Sequence, residues 1–468
     1  MGASRLEKDS LGTRQIPENV YYGIQTDRAV ENFPISGIHA HPRFIDAYLY
    51  VKKAAALANA HIGALDKKLA DALVTACDEI LGGKLRDQFP VDVFQMGAGT
   101  AFNMNLNEVL ANRANELLGS PKGSYKPVHP NDHANMGQST NDTFPTAVRV
   151  AGLLILKESL HGPLEALEKS FAKKGQEFDG ILKSARTHLQ DAVPIRLGQE
   201  FAAYGEALRK CRLSLEQAEK SLLELGLGGS AAGTGLNTAR GYRDDIIREL
   251  AKLTGLPLVP AKDMREAMQS QRPIAEVSAS LRNLSLEITR IVNDLRLLSS
   301  GPTTGFAEIN LPASAPGSSI MPGKVNPSIL EMVNMVAFQV IGSDMVVAMA
   351  VQAGQLELNV MTPVAAFNLN FAVTILGNAL KILKEKCIDG ITADTERCKH
   401  YAESSMGLAT ALNAYIGYTQ AAEVCKEAVS SHKTIVQVIR EKKILTEDQI
   451  RKIMDPVKMT EPGIPGKD

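Results

Sequence analysis

The stretch GSSIMPGKVNP (Gly317–Pro327) holds the residues whose types and spacing most suggest chemistry. It sets two adjacent serines and a lysine among glycines and prolines, and then leads into an apolar run that reads as a helix. It contains no Asp or His, and the first Glu downstream, Glu331, falls past the helix start. Which group could act as a base is open at this point. The plainer reading is a loop that only breaks the chain between two helices.

Three further polar, Gly- or Thr-rich stretches stand before predicted helices: GAGT (Gly97–Thr100), QSTND (Gln138–Asp142) and RTHLQDAVP (Arg186–Pro194). Helix N-termini present free N–H groups and a partial positive charge, which suits a carboxylate or phosphate. Ser, Thr, Asn and Gly also stand there simply as caps, and any one stretch alone reads that way. Asn326 is a candidate N-cap, with Pro327 at the first helical position. The four stretches, with Lys324 and His188 nearby in sequence, suit a small anionic ligand if the fold gathers them.

Other patterns fail. GSSIMPGK has one residue too many between its glycines for a phosphate-binding Walker loop, and Val325 follows its lysine. GGSAAGTGLNT (Gly228–Thr238) does not give the dinucleotide GxGxxG pattern and follows a helix, not a strand. HPNDH (His129–His133) spaces two histidines four apart, but Pro130 argues against a regular helix there, so no metal is expected.

The elements that must position these stretches are mainly helical. From Val277, apolar residues recur at Leu281, Leu284, Ile288, Ile291, Leu295 and Leu298, a heptad seam. A similar face runs through Leu153, Leu156, Leu160, Leu164, Leu167 and Phe171. Long helices are also predicted over about 197–225, 327–357 and 363–386. The last, around Phe367, is apolar on nearly every side, which predicts burial all round inside a bundle larger than one chain makes. Three segments follow: an N-terminal domain of short helices and loops (1–140), a long-helix core (141–393) and a small C-terminal domain (394–468).

The whole chain bounds this reading. Its 468 residues suggest two or three domains. A formal net charge of −1 gives no sign of a nucleic-acid or membrane-surface partner. Its five cysteines are scattered without CxxC, as in a reduced cytoplasmic protein. The opening MGASRLEKDS lacks a basic-then-apolar signal, and Leu6 stands where a myristoylation site after Gly2 needs Ser or Thr. No apolar run reads as long and clean enough to span a bilayer.

GSSIMPGKVNP resembles the signature of the fumarase/aspartase superfamily. GAGTAFNMNLNEVLANR, HPNDHANMGQSTNDTFPTA, RTHLQDAVPIRLGQEF, GTGLNT, NDLRLLSSGP and AGQLELNVM match it in order, and the resemblance runs to LTEDQI near the C-terminus. It implies a mainly all-α, three-domain fold and a homotetramer. Each subunit would give five long helices to a central bundle, and each site would be built from three subunits. The implied reaction is elimination from a four-carbon dicarboxylate to give fumarate. NMGQSTND (Asn135–Asp142) and AGQLELNVM (Ala353–Met361) read closer to the aspartase than to the fumarase pattern. That implies reversible deamination of L-aspartate to fumarate and ammonium. Hydration of fumarate to malate is the alternative, and a non-catalytic tetramer is the rival from another class. Departures from the family pattern are Gly137, Ala185, Ala101 and Thr303.

The resemblance also assigns roles. Ser318 would be the base that takes the C3 proton. Hydroxyls of Thr100, Ser139, Thr140 and Ser319 would hold the doubly charged enediolate. Lys324 and Asn326, with Thr187, would hold the other carboxylate. Asn141 and His188 would surround the amino group, and no cofactor is required. A serine hydroxyl is a poor base until ionised. The glycines of the loop, its amides, Lys324 and the following helix dipole suggest how the oxygen could be favoured as an anion.

Overall fold

The structure, a computed structural model, describes residues 3–467. Met1, Asp468 and the Gly2 considered above lie outside them. The chain opens with β1 (Ser4–Asp9) and β2 (Gly12–Pro17), an antiparallel hairpin. Then come α1 (Ile24–Asn32), α2 (Pro42–His61), α3 (Lys67–Leu81) and α4 (Thr100–Leu117). α5 (Thr140–Ile155) passes through a π-helical turn at Leu156–Leu160 into α6 (His161–Glu177). β3 (Leu182–Thr187) and β4 (Gln190–Arg196) form a second hairpin before α7 (Leu197–Glu219). β5 (Glu224–Leu225), α8 (Tyr242–Thr254), β6 (Val259–Pro260) and α9 (Met264–Gln269) lead to α10 (Arg272–Leu298). β7 (Ile309–Asn310) precedes α11 (Ser328–Gln352) and α12 (Thr362–Lys386). β8 (Thr392–Ala393), α13 (Thr395–Ser404), α14 (Asn413–Ser431), α15 (Ile435–Glu441) and α16 (Glu447–Ile453) follow.

Apolar periodicity maps onto burial. The seam from Val277 to Leu298 lies along α10 and is buried at every position. So is the seam from Leu153 to Phe171, although it crosses the π turn between α5 and α6. The fold is mainly helical, and among the described residues the strands form only two-stranded pairs. The N-terminal region differs from the short helices expected: α2 alone has 20 residues and buries an alanine-rich face.

The chain divides into two compact units, each drawn from three stretches. Among the described residues the first comprises 3–161, 213–285 and 338–377, and the second 162–212, 286–337 and 378–467. The first holds an aromatic core in which Phe44 packs 5.0 Å from Phe144 and 5.5 Å from Phe102, ring to ring. In the second, Phe178 meets Phe201 edge to face at 5.1 Å, and a separate apolar cluster joins α14, α15 and α16.

Two helices depart from expectation. By length and composition, α11 and the stretch 362–390 could each cross a bilayer, contrary to the reading of the sequence. That reading looked for a charge-free run, whereas α11 carries only Glu331 and Asp344 within its apolar length. α12 is largely buried within the chain. An open apolar face lies on α11, where Met335, Phe338, Met345 and Met349 are 57–68% exposed at helical spacing.

Candidate active site

The candidate residues fall in three groups. The first lies at the starts of α4 and α5. Gly97–Gly99 forms a tight turn in which the Ala98 N–H donates to the Val360 carbonyl at 2.7 Å. Gly99 has φ +82°, and a Cβ there would overlap the Phe144 ring, so only glycine lets α4 begin this close to α5. Thr100 then stands exposed at the first turn of α4.

Ser139 is the N-cap of α5. Its hydroxyl accepts the Asn141 N–H at 3.2 Å, and its own N–H donates to Asp142 Oδ1 at 2.9 Å, a capping box. Thr140 is buried and Asn141 half-buried. The segment before them is fixed from below. Lys52, buried on α2, donates to Asn135 Oδ1 at 3.1 Å and to Gln138 Oε1 at 2.9 Å. Asn103 and Asn107 of α4 each donate to the same Asn135 oxygen at 3.2 Å. Tyr48 Oη donates to Asn103 Oδ1 at 3.0 Å and lies 2.8 Å from Thr143 Oγ1. Burial raises the Asp142 carboxyl, against the pull of the Ser139, Ser230 and Gly228 amides and of Lys52. Burial lowers Lys52, against the attraction of Asp142.

The second group is the tip of the β3–β4 hairpin. His188 and Leu189 have φ of +56° and +59°, the two left-handed central residues of a type I′-like turn. Side chains there are strained, and such strain persists only where the surroundings hold it. The hairpin is gripped just behind the tip. Arg186 makes a two-oxygen ion pair with Glu308 at 2.9 and 3.0 Å, and its guanidinium lies 4.1 Å over the Phe306 ring. Glu308 is fully buried and also meets Lys183 at 3.1 Å. Thr187 and His188 are left exposed.

The third group is the Gly317–Asn326 loop. The Gly317 N–H donates to the Lys324 carbonyl at 2.8 Å, and Asn326 Nδ2 donates to the Gly317 carbonyl. A Cβ on Gly317 would stand 2.5 Å from the Lys324 oxygen and the Asn326 nitrogen, so the ring closes only around glycine. Ser318 Oγ accepts the N–H of Met321 at 2.9 Å and of Ile320 at 3.2 Å. Ser318 is half-buried, while Ser319 and Lys324 are exposed. Asn326 does not cap the following helix: α11 begins at Ser328, and the Asn326 amide is engaged across the loop. A groove of about 940 Å³ beside the loop is lined by Arg296, Asn310, Lys324, Asn326 and others, but not by Thr187 or His188.

A cavity of about 280 Å³ behind the starts of α4 and α5 is walled by Phe44, Phe102, Phe144 and Phe367. Its aromatic lining does not suit a dicarboxylate. At His129–His133, Pro130 does open a helical turn, the π turn Pro130–Ala134, because proline is tolerated at a first helical position. His133 Nδ1 accepts the His129 N–H there, and His129 Nδ1 accepts the N–H groups of Asn131 and Asp132. Among the described residues no three His, Cys, Asp or Glu side chains cluster as metal ligands.

The family model described as Lyase matches residues 12–342, and the one described as Fumarase C C-terminus matches residues 408–461. The chain belongs to the fumarase/aspartase family of lyases. It is 49% identical over 464 residues to an aspartate ammonia-lyase of Bacillus subtilis, covering 99% of this chain and 98% of that protein. It is 47% identical to one of Helicobacter pylori, covering 98% of each. Among solved structures, a "fumarate lyase:delta crystallin" of Brucella melitensis superposes with a TM-score of 0.95 at 47% identity, covering 98% of this chain and all of that one. A class II fumarase of Schistosoma mansoni superposes at 0.96 with 35% identity and the same coverage.

The departures from the family pattern now have places. Gly137 has φ +70°, and a Cβ there would stand 3.2 Å from the Tyr242 ring, so glycine is the relaxed choice. Ala185 lies at an irregularity in the β3–β4 register between Ser184 and Arg186. Ala101 is buried and Thr303 is exposed. Sequence reasoning missed Lys52, Tyr48, Asp142 and Glu308. The available signal was a lysine sharing a helix face with Tyr48, Ala55 and Asn59, where an unpaired charge would be costly.

Proposed function

We propose that this chain is an aspartate ammonia-lyase, converting L-aspartate reversibly to fumarate and ammonium. The chemistry requires removal of a weakly acidic C3 proton and support for an enediolate carrying two negative charges on one carboxyl group. Ser318 takes the proton. The observation that carries this role is the pair of N–H groups already directed at its Oγ, which favour the oxygen as an anion. Lys324 and the dipole of α11 add positive potential on the same loop.

Thr100, Ser139, Thr140 and Ser319 donate hydroxyl hydrogen bonds to the enediolate. Each such donor is worth about 3–4 kcal/mol where charge develops away from water. Lys324, Asn326 and Thr187 hold the second carboxylate, and Asn141 and His188 flank the amino group. Ammonia is a stable leaving molecule, so no strong acid need be supplied.

We infer a homotetramer in which three subunits complete each site. Two observations support it: the exposed apolar stripe on α11, and a groove at Lys324 that lacks the hairpin residues. The division into 1–140, 141–393 and 394–468 and a cytoplasmic location belong to the same proposal. The test is to supply fumarate with ammonium and identify the product by NMR. Aspartate is expected. Malate would indicate fumarase chemistry, and no product a non-catalytic homologue.

A further inference from the structure

The Gly-rich stretch after β5 has no role in the reading above, yet it makes direct contact with the residues that begin α5. Asp142 Oδ2 accepts the N–H of Gly228 and of Ser230, each at 3.0 Å. Its other oxygen holds the Ser139 N–H. One residue earlier, Asn141 Nδ2 donates to the Ala231 carbonyl at 2.9 Å. Two consecutive side chains of α5 therefore grip one short loop.

That loop has little freedom. Gly228 has φ +88°, and a Cβ there would stand 3.0 Å from Cα and Cβ of Arg243. Ser230, with a side chain, is held at φ +59°. Gly233 has φ +82°, and a Cβ there would meet the Arg265 backbone at 2.6 Å. The Gly235 N–H donates back to the Gly229 carbonyl at 3.0 Å.

The consequence falls on the Asn141 amide. A backbone carbonyl only accepts, so the amide nitrogen, not the oxygen, must face Ala231. The nitrogen is thus turned toward the loop, and the oxygen is the end left for a ligand. An amide oxygen accepts from an ammonium, which has only N–H to give.

We propose that the Gly228–Ala231 loop, clamped by Asp142, is a positioning element that fixes which end of the Asn141 amide meets the substrate amine. This rests on the placement of Asn141 beside the amine. Neither Asp142 nor the loop touches substrate in this account; both act through Asn141.

The test is Gly228→Ala, which forces the loop off Arg243 without altering any side chain of α5. Its effect is read as KM for aspartate and for ammonium against KM for fumarate, which has no amine. Loss of a hydrogen bond to a charged group should raise the first two by about tenfold and leave the third within about twofold. Ser230→Pro, which removes an N–H accepted by Asp142 and cannot adopt φ +59°, should act the same way and serves if Gly228→Ala does not fold. A parallel rise in all three constants, or a fall in kcat alone, would mean a merely structural loop and overturn the proposal. Asn141→Ala separates the two layers. If it raises the amine constants while neither loop variant does, the loop's role fails and the placement of Asn141 stands. If Asn141→Ala moves none of them, the placement fails and the loop's role falls with it.

Discussion

At the start of α5, Ser139 and Asn141 are fixed by groups drawn from far along the chain. Lys52, Asn103 and Asn107 converge on Asn135 and Gln138 just before them, and the amides of Gly228 and Ser230 close on Asp142 just after. Around Ser318 the bonds come from the loop itself: Ile320 and Met321 on its hydroxyl, Lys324 and Asn326 on Gly317. The first arrangement is built by folding and moves only if the surrounding core opens. The second can open at the cost of a few local hydrogen bonds, about 0.5–1.5 kcal/mol each. Under the proposed function, the first would be a rigid surface for the developing charge and the second a movable carrier for the base, as admitting substrate and then excluding water requires.

Substitutions can break this contrast, and their expected effects on thermal stability run from large to small. Phe144→Ala empties the space between the starts of α4 and α5, and should cost about 3–5 kcal/mol by denaturant titration. Gly137→Ser places a side chain at φ +70° against Tyr242, and should cost about 1 kcal/mol by the same measurement.

Acid gives a smaller effect. The Arg113 guanidinium, helped by Lys84, holds the Glu79 carboxyl at about 2 and so ties α3 to α4. Because that value lies below the usual 4.5, the contribution is present above pH 4.5 and lost as pH falls toward 2. Glu79→Gln should flatten that acid limb by about 0.5–1 kcal/mol in pH-dependent melts. Gly317→Ala should leave the melting temperature unchanged and lower turnover sharply, since its Cβ breaks only the loop's own closure. A matching fall in stability would show that the loop is part of the core and end the contrast.

The two regions also differed in how far the sequence disclosed them. The long helices were legible because seven apolar residues from Val277 to Leu298 at heptad spacing leave one way to bury them. The three groups of candidate residues were legible as polar motifs before predicted helices, but the hairpin that carries Thr187 and His188 was not. Their supports were not: nothing in the spacing of Lys52, Glu308 or Gly228 says which distant group each meets, because those pairings are set by tertiary packing. The open apolar face of α11 was not legible, because its polar Asn334 and Asp344 are turned inward, to Asn293 and to Ser278 and Arg282, and only tertiary packing sets that. Asn326 read as a cap because its type fits one, but its amide closes the loop.

The central claim is that Ser318, favoured as an anion by its two amides, takes the C3 proton. The direct measurement is exchange of the C3 proton of aspartate with D₂O, followed by NMR for the native protein and Ser318→Ala, with aspartate binding measured alongside by calorimetry. The account predicts that exchange slows by about 10²–10⁴-fold in the variant while the Kd for aspartate stays within about twofold. Exchange at close to the native rate in Ser318→Ala would contradict it.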